Sequence, residues 1–213
     1  MTGRLTRTVG PVGTNVHLLA DTGTREAIAI DTAIPSVAWI TGELAERGWT
    51  LKLIVTTHGH WDHFGDNAAV TARTGAPVAV HPLDRHRLTD PQPMWAPFPI
   101  PPSIPAVELA EGGDVRFGSI RLEVLHTPGH TEGSVCLLDR EAGVLSSGDT
   151  LFAGSFGRID LPGGDPVAMA ASLARLATLD DALEVLPGHG RSTTIGTERH
   201  WLEWVARERR LPI

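Results

Sequence analysis

Thr57-His58-Gly59-His60-Trp61-Asp62-His63-Phe64-Gly65-Asp66 is the stretch on which the reading of this chain turns. It places three histidines and a carboxylate within six residues, directly after Leu51–Val55, an apolar run that reads as a buried strand. In an extended loop His58 and His60 point to the same side, because side chains alternate with period two. Asp62 and His63 fall where the next helix should start, and there they project in different directions. Imidazole and carboxylate together suit Zn²⁺, Fe²⁺ or Mn²⁺. Crowding them this tightly costs solvation unless a cation sits among them. The spacing serves two adjacent ions better than one.

Upstream, residues 4–9, 14–20 and 26–30 read as short strands separated by glycine-containing turns. Asp31 follows the last of them, and two readings stay open for it: a helix cap ahead of Pro35, or the support of the metal loop that an acidic residue there gives in folds this chain resembles. His17 lies inside a strand pattern and reads as structural. Val37, Ile40 and Leu44 carry helical spacing over 36–47, and Gly48 ends the run. Downstream, the pattern predicts a helix over about 62–74, closed by Gly75, and a short strand from Pro77 to Val80. His81 after that strand reads as structural before it reads as functional.

The segment Pro91–Pro105 is dense in proline, with Met94, Trp95, Phe98 and Ile100 between the prolines. It is unsuited to a helix or a central strand. A loop of this length inside one domain is functional or a linker, and aromatic residues are costly in a linker. We read it as a semi-rigid flap that walls a substrate pocket, with Trp95 and Phe98 as contacts. The alternative is packing over the edge of the core.

Beyond it, strands are predicted over 114–117, 120–125, 133–138, 143–146 and 183–186. Asp165-Pro166 opens a helix with an N-cap and a proline in its first turn. A terminal helix covers Glu198–Arg210, with Trp201, Trp204 and Val205 as packing residues. Three strand ends each offer a donor behind a glycine. Thr127-Pro128-Gly129-His130 presents His130, Ser147-Gly148-Asp149 presents Asp149, and Pro187-Gly188-His189 presents His189. Glycine there permits backbone torsions that other residues avoid. Strands followed by helices, twice over, suggest two sheets between helical layers.

The chain has 213 residues, enough for one domain spanning 1–213 with a real core. Its 18 basic and 25 acidic residues, for a formal charge of −7, give no footprint for nucleic acid or an anionic membrane. The single cysteine, Cys136, excludes an internal disulfide framework and fits a reducing, cytoplasmic setting. It sits in an apolar strand pattern and reads as core. No leader-like or membrane-spanning apolar run is evident.

His58-Gly59-His60-Trp61-Asp62-His63 resembles the H-x-H-x-D-H signature of the metallo-β-lactamase superfamily. The later turns are similar to those of its glyoxalase II-like hydrolases. The resemblance covers roughly residues 8–195 and implies an α+β fold: an αββα sandwich of two mixed sheets flanked by helices, with metals at one edge. It implies two divalent ions, zinc first with iron or manganese as alternatives. His58, His60 and His130 would hold one ion, Asp62, His63 and His189 the other, and Asp149 would bridge them. It further implies hydrolysis of a small-molecule thioester by a hydroxide shared between the ions, with Asp62 orienting it as the catalytic carboxylate. Arg158, in Gly154-Ser155-Phe156-Gly157-Arg158, resembles a loop residue that meets substrate in such enzymes; pairing with Asp160 is the other reading. His126 is surplus to this ligand set and reads as structural or supporting.

The departures matter as much. Glyoxalase II continues into a helical domain with glutathione contacts, whereas 23 residues follow Gly190 here and the chain has no tyrosine. The chain therefore looks like the short relatives, and its thiol carrier need not be glutathione. An iron persulfide dioxygenase, a lactone or phosphodiester hydrolase, and a non-enzymatic metal-binding relative that kept the fold and lost the chemistry are the competing readings. The expected assembly is a monomer or small homo-oligomer.

Overall fold

The computed structural model describes residues 2–92 and 96–212. Two six-stranded sheets face one another. The first has the order β1 (Thr2–Val9), β2 (Thr14–Asp21), β3 (Glu26–Ile30), β4 (Thr50–Val55), β5 (Val78–Val80) and β6 (Val107–Glu108). Its first three strands are antiparallel and the rest join in parallel. The second runs β12 (Thr193–Thr194), β11 (Glu184–Pro187), β10 (Val144–Gly148), β9 (Val135–Asp139), β8 (Ile120–His126) and β7 (Asp114–Phe117). There only β10 and β11 pair in parallel. Both sheets are thus mixed.

Alternation along the central strands dictates the layers, because successive side chains leave opposite faces of a sheet. On β3, Ile28 and Ile30 turn to the other sheet while Ala27 and Ala29 turn to the helices. On β9, Val135 and Leu137 turn inward while Cys136 and Leu138 turn out. Strands buried on both faces lose the polar alternation of a half-exposed sheet. Outside the first sheet lie α1 (Val37–Arg47) and α3 (Asn67–Thr74), which contribute Ile40, Leu44 and Val70. Outside the second lie α5 (Pro166–Leu176) and α6 (Ile195–Glu208), which contribute Leu173, Leu176, Leu202 and Val205. The architecture is the expected αββα sandwich.

The predicted helix over 62–74 is two helices, α2 (Trp61–Phe64) and α3, separated at Gly65-Asp66. Asp66 has other work: its carboxylate accepts from the backbone N–H groups of Ser36 and Val37 and so caps α1. Asp165 caps α5 as expected, accepting from Val167 and Ala168. The terminal helix begins three residues earlier than predicted, at Ile195, because Thr194 is its cap. A 3₁₀ turn (Pro82–Asp84), α4 (Arg85–Thr89) and the two-residue strands β6 and β12 complete the fold. None of the helices described is long and apolar enough to cross a membrane.

Candidate metal centre

Five strands of both sheets end at one edge of the sandwich, and the loops leaving them carry the polar residues singled out above. Asp31 follows β3, His58 to His63 follow β4, His130 follows β8, Asp149 follows β10 and His189 follows β11. The seven donors converge. Ligand atoms of His58, His60 and His130 lie within 4.8 Å of one another, as do those of Asp62, His63 and His189. His58, His63 and Asp149 form an overlapping third group. Asp149 sits between the triads: its Oδ2 is 3.4 Å from both His130 Nε2 and His189 Nε2, and its Oδ1 is 3.4 Å from His63 Nε2.

The glycines ahead of the donors serve two physical ends. Gly129 (φ 138°) and Gly148 (φ 47°) take left-handed torsions, as anticipated. Gly188 is needed for space instead. A Cβ there would collide with Asp149 Oδ1 and stand 2.7 Å from His63 Cε1.

Two of the rings are aimed by what the outer nitrogen meets. His63 Nδ1 donates to Asp31 Oδ2 at 2.8 Å, and His130 Nδ1 donates to the Arg158 carbonyl at 2.7 Å. Both partners can only accept, so the proton sits on Nδ1 and Nε2 faces the cluster. Asp31 also accepts from Thr57 N and Thr57 Oγ1 at 2.8 and 2.9 Å. Of its two readings, support of the loop is the one the geometry gives. Thr14 Oγ1, on β2, donates to Asp62 Oδ2 at 2.9 Å and fixes that carboxylate.

The electrostatics divide the cluster. Burial, reinforced by neighbouring imidazoles, holds His58 well below the usual histidine range and His60 at about 3. Burial also lowers His130. For His63 burial acts the same way, but the carboxylates of Asp149, Asp62 and Asp31 outweigh it and raise the ring well above its ordinary value. At His189 burial is likewise outweighed, mainly by Asp149 and Asp62, and the ring rises to about 9. Burial opposes ionisation of Asp62 and Asp149, yet the imidazoles keep both below the usual carboxylate range, Asp149 at about 2.

Several contacts fit a bound cation. His58 Nε2 and Asp149 Oδ1 are buried without a hydrogen-bond partner, a state that ordinarily costs stability. His60 Nδ1 and His130 Nε2 stand 2.7 Å apart, and His63 Nε2 and His189 Nε2 3.2 Å apart. Nitrogen lone pairs converging beside carboxylates are the donor chemistry of Zn²⁺, Fe²⁺ and Mn²⁺. The residues fit such a group.

A cleft opens over the cluster, walled by Val12, Trp61, Phe64, Leu161 and Pro162, with His60, Asp62, Asp149 and His189 in its floor. From the proline-dense segment, Pro91 and Gln92 line it. Phe98 stacks edge-on against Trp61 at 5.8 Å and Ile100 is buried in the outer core, so that part of the segment follows the packing alternative. Trp95 lies outside the described residues. Arg158 is at the rim, and its guanidinium grips Asp160 through two 2.7 Å bonds. His126 stands apart from the donors, stacked on His81 with rings 4.1 Å apart and 8° from parallel. His17 is buried, between Thr6 and the Pro187 carbonyl.

Fold and site together define an αββα sandwich with a two-lobed cluster of potential metal donors at one sheet edge. The chain belongs to the metallo-beta-lactamase superfamily, whose family model matches residues 9–189. An uncharacterised protein of Aquifex aeolicus is 39% identical, covering 90% of this chain and 91% of its own. A hydroxyacylglutathione hydrolase of Maricaulis maris is 37% identical over 81% of this chain, which spans 60% of that relative. Among solved structures, the BLEG-1 B3 metallo-beta-lactamase has a TM-score of 0.87 and 34% identity, covering 94% of this chain and 99% of its own. ETHE1 from Myxococcus xanthus has 0.79 and 29%, covering 96% and 87%. TTHA1623 in a di-iron-bound form has 0.77 and 36%, covering 92% and 97%.

Proposed function

We propose that this chain is a hydrolase of small-molecule thioesters that works with two divalent ions, zinc in the first instance and iron or manganese as alternatives. His58, His60 and His130 would hold one ion and Asp62, His63 and His189 the other, with Asp149 placed between the two triads. The observation that carries the reading is the position of Asp149 Oδ2, equidistant at 3.4 Å from a histidine of each triad. A similar hydroxyacylglutathione hydrolase supports the thioester class, and a similar di-iron-bound structure supports a pair of ions.

Bound ions supply Lewis acidity and a water acidic enough to lose its proton near neutral pH. The chain supplies the rest. Asp62, ionised and held by Thr14, presents a fixed acceptor on the floor of the cleft and orients the attacking water. Val12, Trp61, Phe64, Leu161 and Pro162 give the acyl group apolar surface to lie against. Water adds to the acyl carbon, the C–S bond breaks, and the products are a carboxylic acid and a thiol. No side-chain nucleophile is needed: the Cys136 thiol is fully buried, and burial pushes it up to about 11.

The test is a panel of thioesters, lactones and phosphodiesters assayed on protein of measured metal content. The highest kcat/KM is expected for a 2-hydroxyacyl thioester. A lactone or phosphodiester turned over faster would move the activity to that class.

A further inference from the structure

A second buried carboxylate, which carries no recognisable motif, ties together two loops of the centre. Asp84 ends the 3₁₀ turn after β5 and is completely buried. Its Oδ2 accepts from Gly59 N and from Thr131 Oγ1, each at 2.6 Å, and its Oδ1 accepts from Gly133 N at 2.9 Å. Gly59 lies between His58 and His60, and Thr131 directly follows His130. One side chain therefore spans both loops that deliver the first histidine triad. Asp31, by comparison, holds Thr57 and His63.

The fit around Asp84 leaves no slack. A Cβ on Gly133 would stand 2.7 Å from Asp84 Cγ, and a Cβ on Gly59 would stand 2.5 Å from Arg87 Cδ. Arg87, on the helix that follows Asp84, reaches on to the Glu132 carboxylate at 2.7 Å and the Pro162 carbonyl at 2.9 Å. The short segment 82–89 thus clamps one loop from the first sheet and one from the second.

We propose that Asp84 is a positioning residue for the His58/His60/His130 half of the centre. It fixes the separation of the two histidine loops and so sets the affinity of that half for a divalent cation, without touching the cation itself. The assignment rests on the metal reading above. Partners that orient ligands in this way typically govern affinity by about 10–100-fold. An asparagine at this position keeps the volume but cannot accept on both sides. Its NH₂ must face either Gly133 N or Gly59 N, and each of those backbone groups can only donate.

The experiment titrates metal-free wild-type protein, Asp84→Asn and Thr131→Val with Zn²⁺ against a chromophoric chelator. Co²⁺ absorption is recorded in parallel, with circular dichroism to establish the fold. Wild-type protein should take up about two equivalents. Asp84→Asn should keep one at wild-type affinity and bind the other about 10–100-fold more weakly, with altered Co²⁺ bands. Thr131→Val removes one of the three donors and should weaken the same equivalent by less; it decides the matter if Asp84→Asn does not fold. Two equivalents at wild-type affinity in a folded variant, or equal weakening of both, would overturn the role of Asp84. Fewer than two equivalents in the wild type would instead overturn the binuclear reading, and this assignment with it.

Discussion

His63 and Asp31 are joined through Nδ1 and Oδ2 at 2.8 Å, both fully buried, and Asp31 holds a left-handed φ of 57°. Asparagine, like aspartate, tolerates that torsion better than most side-chain-bearing residues, so Asp31→Asn tests the carboxylate with little disturbance of the backbone. His63 Nδ1 then loses a charged acceptor, and Thr57 loses one of its two bonds. Metal binding by the Asp62/His63/His189 triad should weaken by about 10–100-fold. Equilibrium titration of metal-free protein reads the change, and wild-type affinity in the variant would refute the orienting role.

Elemental analysis of protein purified without chelator should give about two equivalents of metal per chain. Stripping with a chelator should lower Tm in a metal-concentration-dependent way, because a ligand bound only by the folded state adds stability. A steady value of one under metal-replete conditions would leave the second triad without an ion.

Asp62 and His126 separate the centre from its surroundings. Asp62→Ala removes a donor and the acceptor that orients water, and should cost on the order of 10–100-fold or more in kcat with the fold intact. His126→Ala removes a stacking partner of His81 and a contact to the Glu132 carbonyl, and should be far milder. Equal losses would mean the ligand set is misassigned.

Most of the donor set was legible because it is local. His58, His60, Asp62 and His63 share one loop, and His130, Asp149 and His189 each follow a strand and a glycine. Asp84 was not legible, since its value lies in distant partners, Gly59, Thr131 and Gly133, that only the folded sandwich brings to it. Thr14 escaped for the same reason. The break between α2 and α3 was hidden because Asp66 serves α1, thirty residues earlier. Strands β6 and β12 have two residues each, too short for alternation to register. Phe98 shows the limit of composition: an aromatic in a proline-dense loop can face a cleft or pack on Trp61, and proline content does not decide between them.

Asp21 gives the fold a measurable acid limit. Its Oδ2 accepts from Ser119 N and Ser119 Oγ at 2.7 and 2.8 Å, joining the end of β2 to the β7–β8 hairpin of the other sheet. These bonds, with one from Gly23, hold its carboxyl well below the ordinary 3.8. A depressed folded value means that the unfolded chain takes up the proton first as pH falls. The contribution is therefore complete above about pH 5 and drains away on acidification through 3.8 and below. Urea unfolding across pH 2–6 should show a steeper acid loss for wild type than for Asp21→Asn. Parallel profiles would show that Asp21 carries no such linkage.

Reaction class is the decisive prediction. A hydrolase of the proposed kind needs water and no oxidant, so a 2-hydroxyacyl thioester such as lactoylglutathione should be cleaved at the same rate with and without oxygen. The competing chemistry differs in one measurable way: a persulfide dioxygenase on the same scaffold must consume oxygen and release sulfite. Such chemistry on one iron would leave Asp62, His63 and His189 idle, although their ligand atoms converge within 4.8 Å. Arg158→Ala belongs in the same assay. Its guanidinium is engaged by Asp160 at an exposed rim, where an ion pair is weak enough to exchange for a substrate carboxylate. Loss of the arginine should then raise KM with little change in kcat, the sign of binding shared equally by ground and transition states. Anaerobic thioester assays, with an oxygen electrode and a persulfide as the contrasting arm, separate the two chemistries. Strict oxygen dependence without thioester cleavage would leave the sandwich and its donors standing and replace the hydrolase by an oxygenase.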